Sequence, residues 1–529
     1  MAMNNLHLAC IHAAVCHGEP AYNREILQQE LHLAGKAGAQ VVVAPELALS
    51  GYAFGSREEI LPLTETATGP TFQALAPLCR EHGLFCCFGF AEQDQASGLL
   101  FNSAAVIDPE GRLVLCYRKI NAECRWATPG NPYADNTFVT PWGRVGVLIC
   151  SDSYHALMPR ISALRGADLL LIPANWPLLN PHSGIDPLEI WQARALENGC
   201  HVAVCNRSGM DKTMDCRNAV SALINPQGCL LHSMTAEHTK QLHAPIALDS
   251  KRLPGQERLH RLAGRKPQTA LDCALHLGGV SDWSNFHQLP PAGTLAVHFH
   301  GPAHVAPSHP EAVASADSVC PPVPQLHLFA VQEESQAGAT LDAMRDVMRG
   351  CIYAGQTMAM LCSGVGGQGA ACVQIHGRQQ EQGPYLFFMD EDQPPAPPLV
   401  VHCGPARIAI APPAALYHPE YILACAKQGC DLVVVFVESL NEKTRLLAGV
   451  RTIEQVAIAL CAPEGASLWL PPHGHERWQE WSSNRDGLGN CVLFDTRLTR
   501  NKRFQDLVDY PALLRNEGVV ETRVGTQTW

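Results

Sequence analysis

The chain has 529 residues, 47% of them hydrophobic and 17% charged, with 38 Lys and Arg against 50 Asp and Glu for a formal net charge of −12. That apolar fraction over this length suffices for two globular cores, and the acidic balance argues against nucleic acid or an anionic membrane as partner. No stretch has the length and apolarity of a membrane span, and the opening MAMNNLHLACIHAAV lacks the basic segment of a secretory signal. A cytoplasmic protein is therefore expected, with its 22 cysteines reduced. No Cys-x-x-Cys pair exists among them, so neither a metal nor any other cofactor is expected.

In chain order, LHLACI reads as a strand and NREILQQELHLAGKAG as a helix, with Ile26, Leu27, Leu31, Leu33 and Ala34 at near-helical spacing. The strand QVVVAP, the helix PTFQALAPLCREHG and the strands LFCCFGF, SAAVID, RVGVLIC and ADLLLIPA follow. This alternation predicts an α/β layered domain. Three polar residues stand at strand ends, where loops carry chemistry: Glu46 in VVVAPELALSGY, Lys119 in LVLCYRKI and Cys150 in GRVGVLICSDSY. Taken singly they read blandly, as a helix-initiating carboxylate, a surface charge and a buried structural thiol. Together they supply a base, a cation and a nucleophile. A thiol near its reference pKa is mostly protonated at neutral pH and needs such a base.

The surrounding motifs make the chain resemble the nitrilase (carbon–nitrogen hydrolase) superfamily. Pro45-Glu46 with Ser50-Gly51-Tyr52, Tyr117-Arg118-Lys119, Glu123 before Pro129-Gly130, and Ile149-Cys150-Ser151-Asp152 match its motifs in order. So do Ala174-Asn175-Trp176-Pro177, Trp191, the run from Ala193 to Asn198, Asn206-Arg207-Ser208-Gly209, Asp249 and Arg265-Lys266-Pro267. The similarity covers roughly residues 5–275. It implies a four-layer αββα sandwich and a thioester mechanism. In that mechanism Cys150 is the nucleophile, Glu46 the general base and acid, and Lys119, with the Ser151 backbone N–H, stabilises the oxyanion. Glu123 orients Lys119 or the substrate nitrogen. Tyr52, Tyr154, Arg160, Asn175, Trp176 and the loop 179–187 are candidate substrate contacts. Trp176 reads equally as pocket wall or core, Asp152 as a hydrogen-bond acceptor behind the nucleophile turn, and His155 as an exposed loop histidine.

The second half contains a Pro-, Ala- and His-rich stretch, taken as a linker over 281–323. Beyond it LHLFAV echoes LHLACI, and from Arg144/Arg407 through Asp168/Asp431 two segments align at a constant offset of 263, extended to Ile190/Ile453 and Gln192/Gln455. CVLFDTRL likewise resembles PIALDSKRL. The expected organisation is a catalytic domain over 1–280, the linker, and a degenerate second nitrilase-like domain over 324–529, giving the sandwich twice in tandem. In the second copy Pro413 aligns with Cys150. MLCSGVGG stands for the Glu46 strand end and FFMDED for the Lys119 strand end, so this copy is read as catalytically dead. An intramolecular pseudo-dimer is the expected use of such a copy, with homo-oligomers also open.

Genuine nitrile hydrolases of the superfamily usually place Trp-Glu after the cysteine, whereas this chain has Ser151-Asp152. The resemblance therefore favours an amidase acting on a small carboxamide. An N-carbamoyl hydrolase or nitrilase is the alternative; further alternatives are a non-catalytic scaffold and a glutaminase serving a synthetase.

Overall fold

A computed structural model describes residues 5–177, 186–212, 214–248, 253–266, 282–300, 323–330, 357–363, 370–377, 381–388, 397–472, 479–482, 491–500 and 502. The chain divides into two compact units, the first running to Ala263 and the second opening at Gly264.

In the first unit, β1 (Leu6–His12), β2 (Val41–Val43), β3 (Phe85–Gln93), β4 (Leu100–Ile107) and β5 (Leu113–Arg118) lie side by side, with β14 (Lys240–Ile246) on the outer edge of β1. β1, β2 and β3 are parallel, and the other pairings are antiparallel. The second sheet runs, in spatial order, β13 (Leu230–Met234), β12 (Ser221–Ile224), β9 (His201–Cys205), β8 (Leu169–Pro173), β7 (Gly143–Val147) and β6 (Thr137–Thr140). Its centre, β7–β8–β9, is again parallel. A small ribbon, β10 (Met210–Asp211) with β11 (Met214–Asp215), stands apart. Strands buried on both faces read as continuous apolar runs, which is why VVV, LLLIP and HVAVC show no alternation.

Helix α1 (Pro20–Lys36) precedes a short α2 (Arg57–Ile60); α3 (Pro70–His82) follows. Each long helix carries proline in its first turn, and α3 ends on Gly83 in the left-handed conformation. Leu27, Leu31 and Ala34 of α1 join Leu75, Ala76 and Cys79 of α3 in one core with Ala9, Ile11, Val42 and Phe88 of the sheet. Leu33, expected on that face, is 53% exposed. Helices α4 (Leu157–Leu164) and α5 (Pro187–Asn198) pack on the second sheet. The sheets meet face to face, with Cys205 Sγ of β9 against the carbonyls of Ile11 and Val43. The first unit is thus an αββα sandwich.

The second unit also contains two six-stranded sheets. One runs β26 (Cys491–Asp495), β15 (Thr294–His300), β16 (Gln325–Ala330), β17 (Thr357–Ser363), β18 (Ala370–Gly377) and β19 (Glu381–Phe388). The other runs β25 (Gln479–Ser482), β24 (Gly465–Leu470), β23 (Ala457–Ala462), β22 (Leu432–Phe436), β21 (Ala406–Ala411) and β20 (Leu399–Cys403). Parallel pairs occupy β15–β16–β17 and β21–β22–β23, and all other pairs are antiparallel. A core of Leu295, Val297, Phe299, Leu326, Leu328, Ile408, Ile410, Val434 and Leu468 is shared by the two sheets.

Three expectations need correction. Residues 281–323 are not linker throughout: Trp283–Phe286 is helical and Thr294–His300 is a strand. His298 and His300 disguised that strand; they alternate with the buried Leu295, Val297 and Phe299. LHLFA consequently falls in the second strand of the unit in chain order, β16, not the first, and the MLCS of MLCSGVGG ends the third, β17. The segment after β16 is Val331-Gln332-Glu333-Glu334, which lies outside the described residues. Finally, the offset of 263 ends with β22. Leu169 pairs with His201 and Leu432 with Ala457, so 432 − 169 = 263 becomes 457 − 201 = 256. Ile453 and Gln455 therefore belong to a turn, while Ile190 and Gln192 are within α5.

Candidate active site

Three strand ends of the first unit converge. Glu46 follows β2, Lys119 follows β5 and Cys150 follows β7, and all three side chains are buried. Lys119 Nζ donates to Glu46 Oε1 at 2.6 Å and to Glu123 Oε1 at 2.5 Å. Asn102 of β4 ties the carboxylates together, its Nδ2 donating to Glu46 Oε1 at 2.8 Å and Glu123 Oε2 at 2.9 Å. Glu46 Oε2 has no hydrogen-bond partner among the described residues, and the negative charge of the Glu46 carboxylate bears on the Cys150 thiol.

The electrostatics follow from burial and from this partnership. Burial lifts the Glu46 carboxyl above the ordinary carboxylate range against the pull of Lys119, and Glu123 adds to the rise. Glu123 is also penalised by burial, yet Lys119 holds it below its usual value. Burial disfavours the Lys119 ammonium, but Glu46 and Glu123 outweigh that and keep it charged. The Cys150 thiol is driven well above its normal range by burial and then by Glu46; Lys119 and the backbone at Asn175 oppose the shift. The resting site therefore holds a protonated thiol beside a carboxyl group whose proton affinity burial has raised.

Cys150 has φ +43°, a left-handed backbone that non-glycine residues rarely adopt. It opens a 3₁₀ turn over Cys150–Ser153, whose leading N–H groups lack intrahelical acceptors. The turn is braced from behind. Ser153 Oγ donates to the Cys150 carbonyl at 2.6 Å and accepts from Trp191 Nε1 at 3.0 Å. Arg194 donates to the carbonyls of Ser153 at 3.0 Å and Tyr154 at 2.6 Å, and pairs with Glu197 at 2.9 Å. Asp152 accepts from Tyr117 Oη at 2.6 Å and from the backbone N–H groups of Ile120 and Asn121 at 3.2 and 2.8 Å. The Cys150 turn is so tied to the segment carrying Lys119 and Glu123, which is the acceptor role expected of Asp152.

Around this centre, Tyr52 has its ring 5.7 Å from Lys119 Nζ, and its N–H donates to Asp211 Oδ2 at 2.6 Å. Asp211 also pairs with His17 at 2.5 Å and Arg207 at 2.7 Å. Tyr154 stacks on Trp176 with centroids 5.9 Å apart, and Trp176 meets Trp191 edge-on at 6.3 Å. Asn206 fixes Trp176 by both its N–H and its carbonyl. Asn175 joins through its backbone, while its side chain accepts from Cys216. Ser151 Oγ reaches the Asn121 carbonyl at 3.4 Å.

Arg160 is fully buried within α4, where its charge bears on the Cys200 thiol. One expectation is not met. His155 is half-buried, not exposed, and burial together with Arg194 pushes its pKa down to about 4, leaving it neutral. Of the loop 179–187, all but the last two residues lie outside the described residues. Asn102 and Asp211 were not anticipated. Asn102 had a signal, a carboxamide inside the buried strand LFNSAAVI, which demands a partner; Asp211 had none.

The region 8–252 matches the family model described as carbon-nitrogen hydrolase. A nitrilase of Pyrococcus abyssi is 34% identical over 198 residues, covering 37% of this chain and 72% of that protein. The human omega-amidase NIT2 is 30% identical over 210 residues, covering 37% and 73%, and a probable nitrilase of Schizosaccharomyces pombe is 28% identical over 250 residues, covering 46% and 89%. Among solved structures, Saccharomyces cerevisiae Nit3 superposes with TM-score 0.42 at 19% identity, covering 48% of this chain and 93% of that one. With Glu46, Lys119 and Cys150 gathered in the matching region, the chain belongs to the carbon–nitrogen hydrolase family of the nitrilase superfamily.

Proposed function

We propose that the first unit hydrolyses the C–N bond of a small carboxamide through a thioester on Cys150. The observation that carries this reading is the free Glu46 Oε2 beside a protonated thiol, with Lys119 held charged against the other oxygen. Glu46 takes the Sγ proton as sulfur attacks the carbonyl carbon, and the oxyanion is met by Lys119 Nζ and the Ser151 N–H. The C–N bond then breaks as Glu46 returns the proton to the departing nitrogen. A water gives its proton to Glu46, attacks the thioester and expels the sulfur, which recovers that proton as a thiol. Glu123 and Asn102 keep Lys119 and Glu46 in place. Ser151-Asp152 after the nucleophile and the similarity to an omega-amidase support a carboxamide over a nitrile.

The test is ammonia release and intact mass over a panel of small amides, N-carbamoyl compounds and nitriles, with Cys150→Ala alongside. Turnover of amides, with an acyl adduct that vanishes in Cys150→Ala, is expected. Turnover confined to carbamoyl compounds or nitriles would move the substrate class, and amide turnover persisting in Cys150→Ala would overturn the mechanism.

We infer further that the second unit is a degenerate copy without hydrolase activity. Its sheets repeat the strand order and directions of the first, which supports common descent. Pro413 opens a 3₁₀ turn after β21, as Cys150 does after β7. Arg451 Nε donates to the Leu416 carbonyl at 3.0 Å as Arg194 Nε does to the Ser153 carbonyl; the acceptors are 416 − 153 = 263 residues apart and the arginines 451 − 194 = 257. The brace thus persists around a residue that has no nucleophile. In sequence Met389 follows β19, where a lysine follows β5. Peptide mapping of substrate-treated protein tests this, with an acyl group on any residue beyond 264 counting against it.

A further inference from the structure

We propose that His32, Glu81 and His82 form a binding site for a divalent transition-metal cation of the zinc type, linking α1 to α3 on the surface of the first unit. The three donor atoms already surround a common point. His82 Nε2 lies 2.9 Å from His32 Nδ1, and Glu81 Oε1 lies 3.7 Å from His32 Nδ1 and 3.6 Å from His82 Nε2. A triangle with those sides has its equidistant point about 2.0 Å from every corner, matching the ~2.0–2.2 Å of Zn–N and Zn–O bonds. Two imidazoles and one carboxylate without thiolate suit Zn²⁺ and its neighbours, while Ca²⁺ and Mg²⁺ prefer all-oxygen sets.

The packing beneath the site points the same way. Gly35 stands within α1, where glycine costs roughly 1 kcal/mol relative to alanine. A Cβ there would fall 2.3 Å from His82 Cγ. The helix therefore accepts a weak residue where the His82 ring must lie flat against it, with centroids of the two imidazoles 4.9 Å apart. His32 and Glu81 are 35% and 55% exposed, leaving an approach for the ion and further positions for water. Binding needs a lone pair on both facing nitrogens, so the proton now shared between them moves to the remote nitrogen of its own ring. No proton is released when both rings are neutral.

The experiment is calorimetric titration of Zn²⁺ into the untagged full-length protein stripped with a chelator, beside His32→Gln, His82→Gln and Gly35→Ala, with thermal midpoints measured with and without the ion. Counting the difference between proteins removes ions taken by exposed cysteines. The expected result is one more equivalent in the natural protein than in any variant, with a metal-dependent rise of a few degrees that the variants lack. Equal stoichiometry and equal midpoint shifts in all four proteins would overturn the site. Gly35→Ala keeps every ligand, so loss of the equivalent there reads the geometry. Should one variant fail to fold without metal, the surface substitution His32→Gln still decides.

Discussion

Asn102 concentrates what the site requires of a single side chain. One buried amide nitrogen holds two carboxylates that a single lysine must also serve, and without it they would repel each other across Lys119. Replacing it with leucine removes two hydrogen bonds to charged groups, worth about 1.5–3 kcal/mol each. We expect Asn102→Leu to lower kcat by roughly 10- to 100-fold with KM little changed, read from steady-state ammonia release. A rise in KM with kcat unchanged would contradict that role. Glu46, Lys119 and Cys150 were legible in the sequence because each sits in a short local motif. Asn102 was not, because it meets Glu46 and Glu123 only once β4 lies beside β3 and β5. Glu123 lies between, four residues from Lys119 and thus placed by local geometry.

At the scale of elements, two glycines set the approach of the strand ends that carry Glu46 and Lys119. A Cβ on Gly89 of β3 would come within 2.5 Å of the Pro45 carbonyl and 2.8 Å of Glu46 Cα, and one on Gly130 within 2.1 Å of the Arg118 carbonyl. Both contacts are to backbone, which cannot swing aside. Gly89→Ala and Gly130→Ala should each destabilise by about 1–3 kcal/mol through overpacking and move Glu46 or Lys119. Activity measured below the melting transition should then fall further than the folded fraction does. Most strands and helices were legible from periodicity and turn residues, as α3 illustrates with Pro70 at its start and Gly83 at its end. The strand LAVHFH was not, because prolines on both sides and histidines on one face imitate a linker. Its other face, Leu295, Val297 and Phe299, carried the period-two pattern throughout.

For the whole molecule, buried titratable groups fix how stability responds to pH. Burial lowers His12, His155 and His201 of the first unit and His298 of the second to about 4. The unfolded chain takes up protons near the usual histidine value while the folded chain does not. Stability is therefore full above that value and is lost as pH falls towards 4. On the alkaline side, burial pushes Cys87 and Cys200, and Cys461 of the second unit, up to about 12. Unfolded thiols ionise near their reference value, so stability is full below it and declines as pH rises towards 12. Thermal midpoints across pH 4.5–10.5 should form a plateau near neutrality with losses on both sides. A midpoint still rising beyond pH 10 would contradict the buried-thiol contribution.

The pairing of β1 with β14 brings Leu6 against Ile246, a separation of 246 − 6 = 240 residues. The nascent chain thus exposes one edge of its first strand until nearly the whole unit has left the ribosome, roughly 10–50 s at ordinary synthesis rates. The second unit repeats the delay, since β15 waits for β26. During the first interval only strands of the first unit have emerged, whereas the edge of β15 stays open while strands of both units are present. Slow translation or low temperature during expression should therefore raise the yield of folded protein by letting each sheet close on its own strand before a rival emerges.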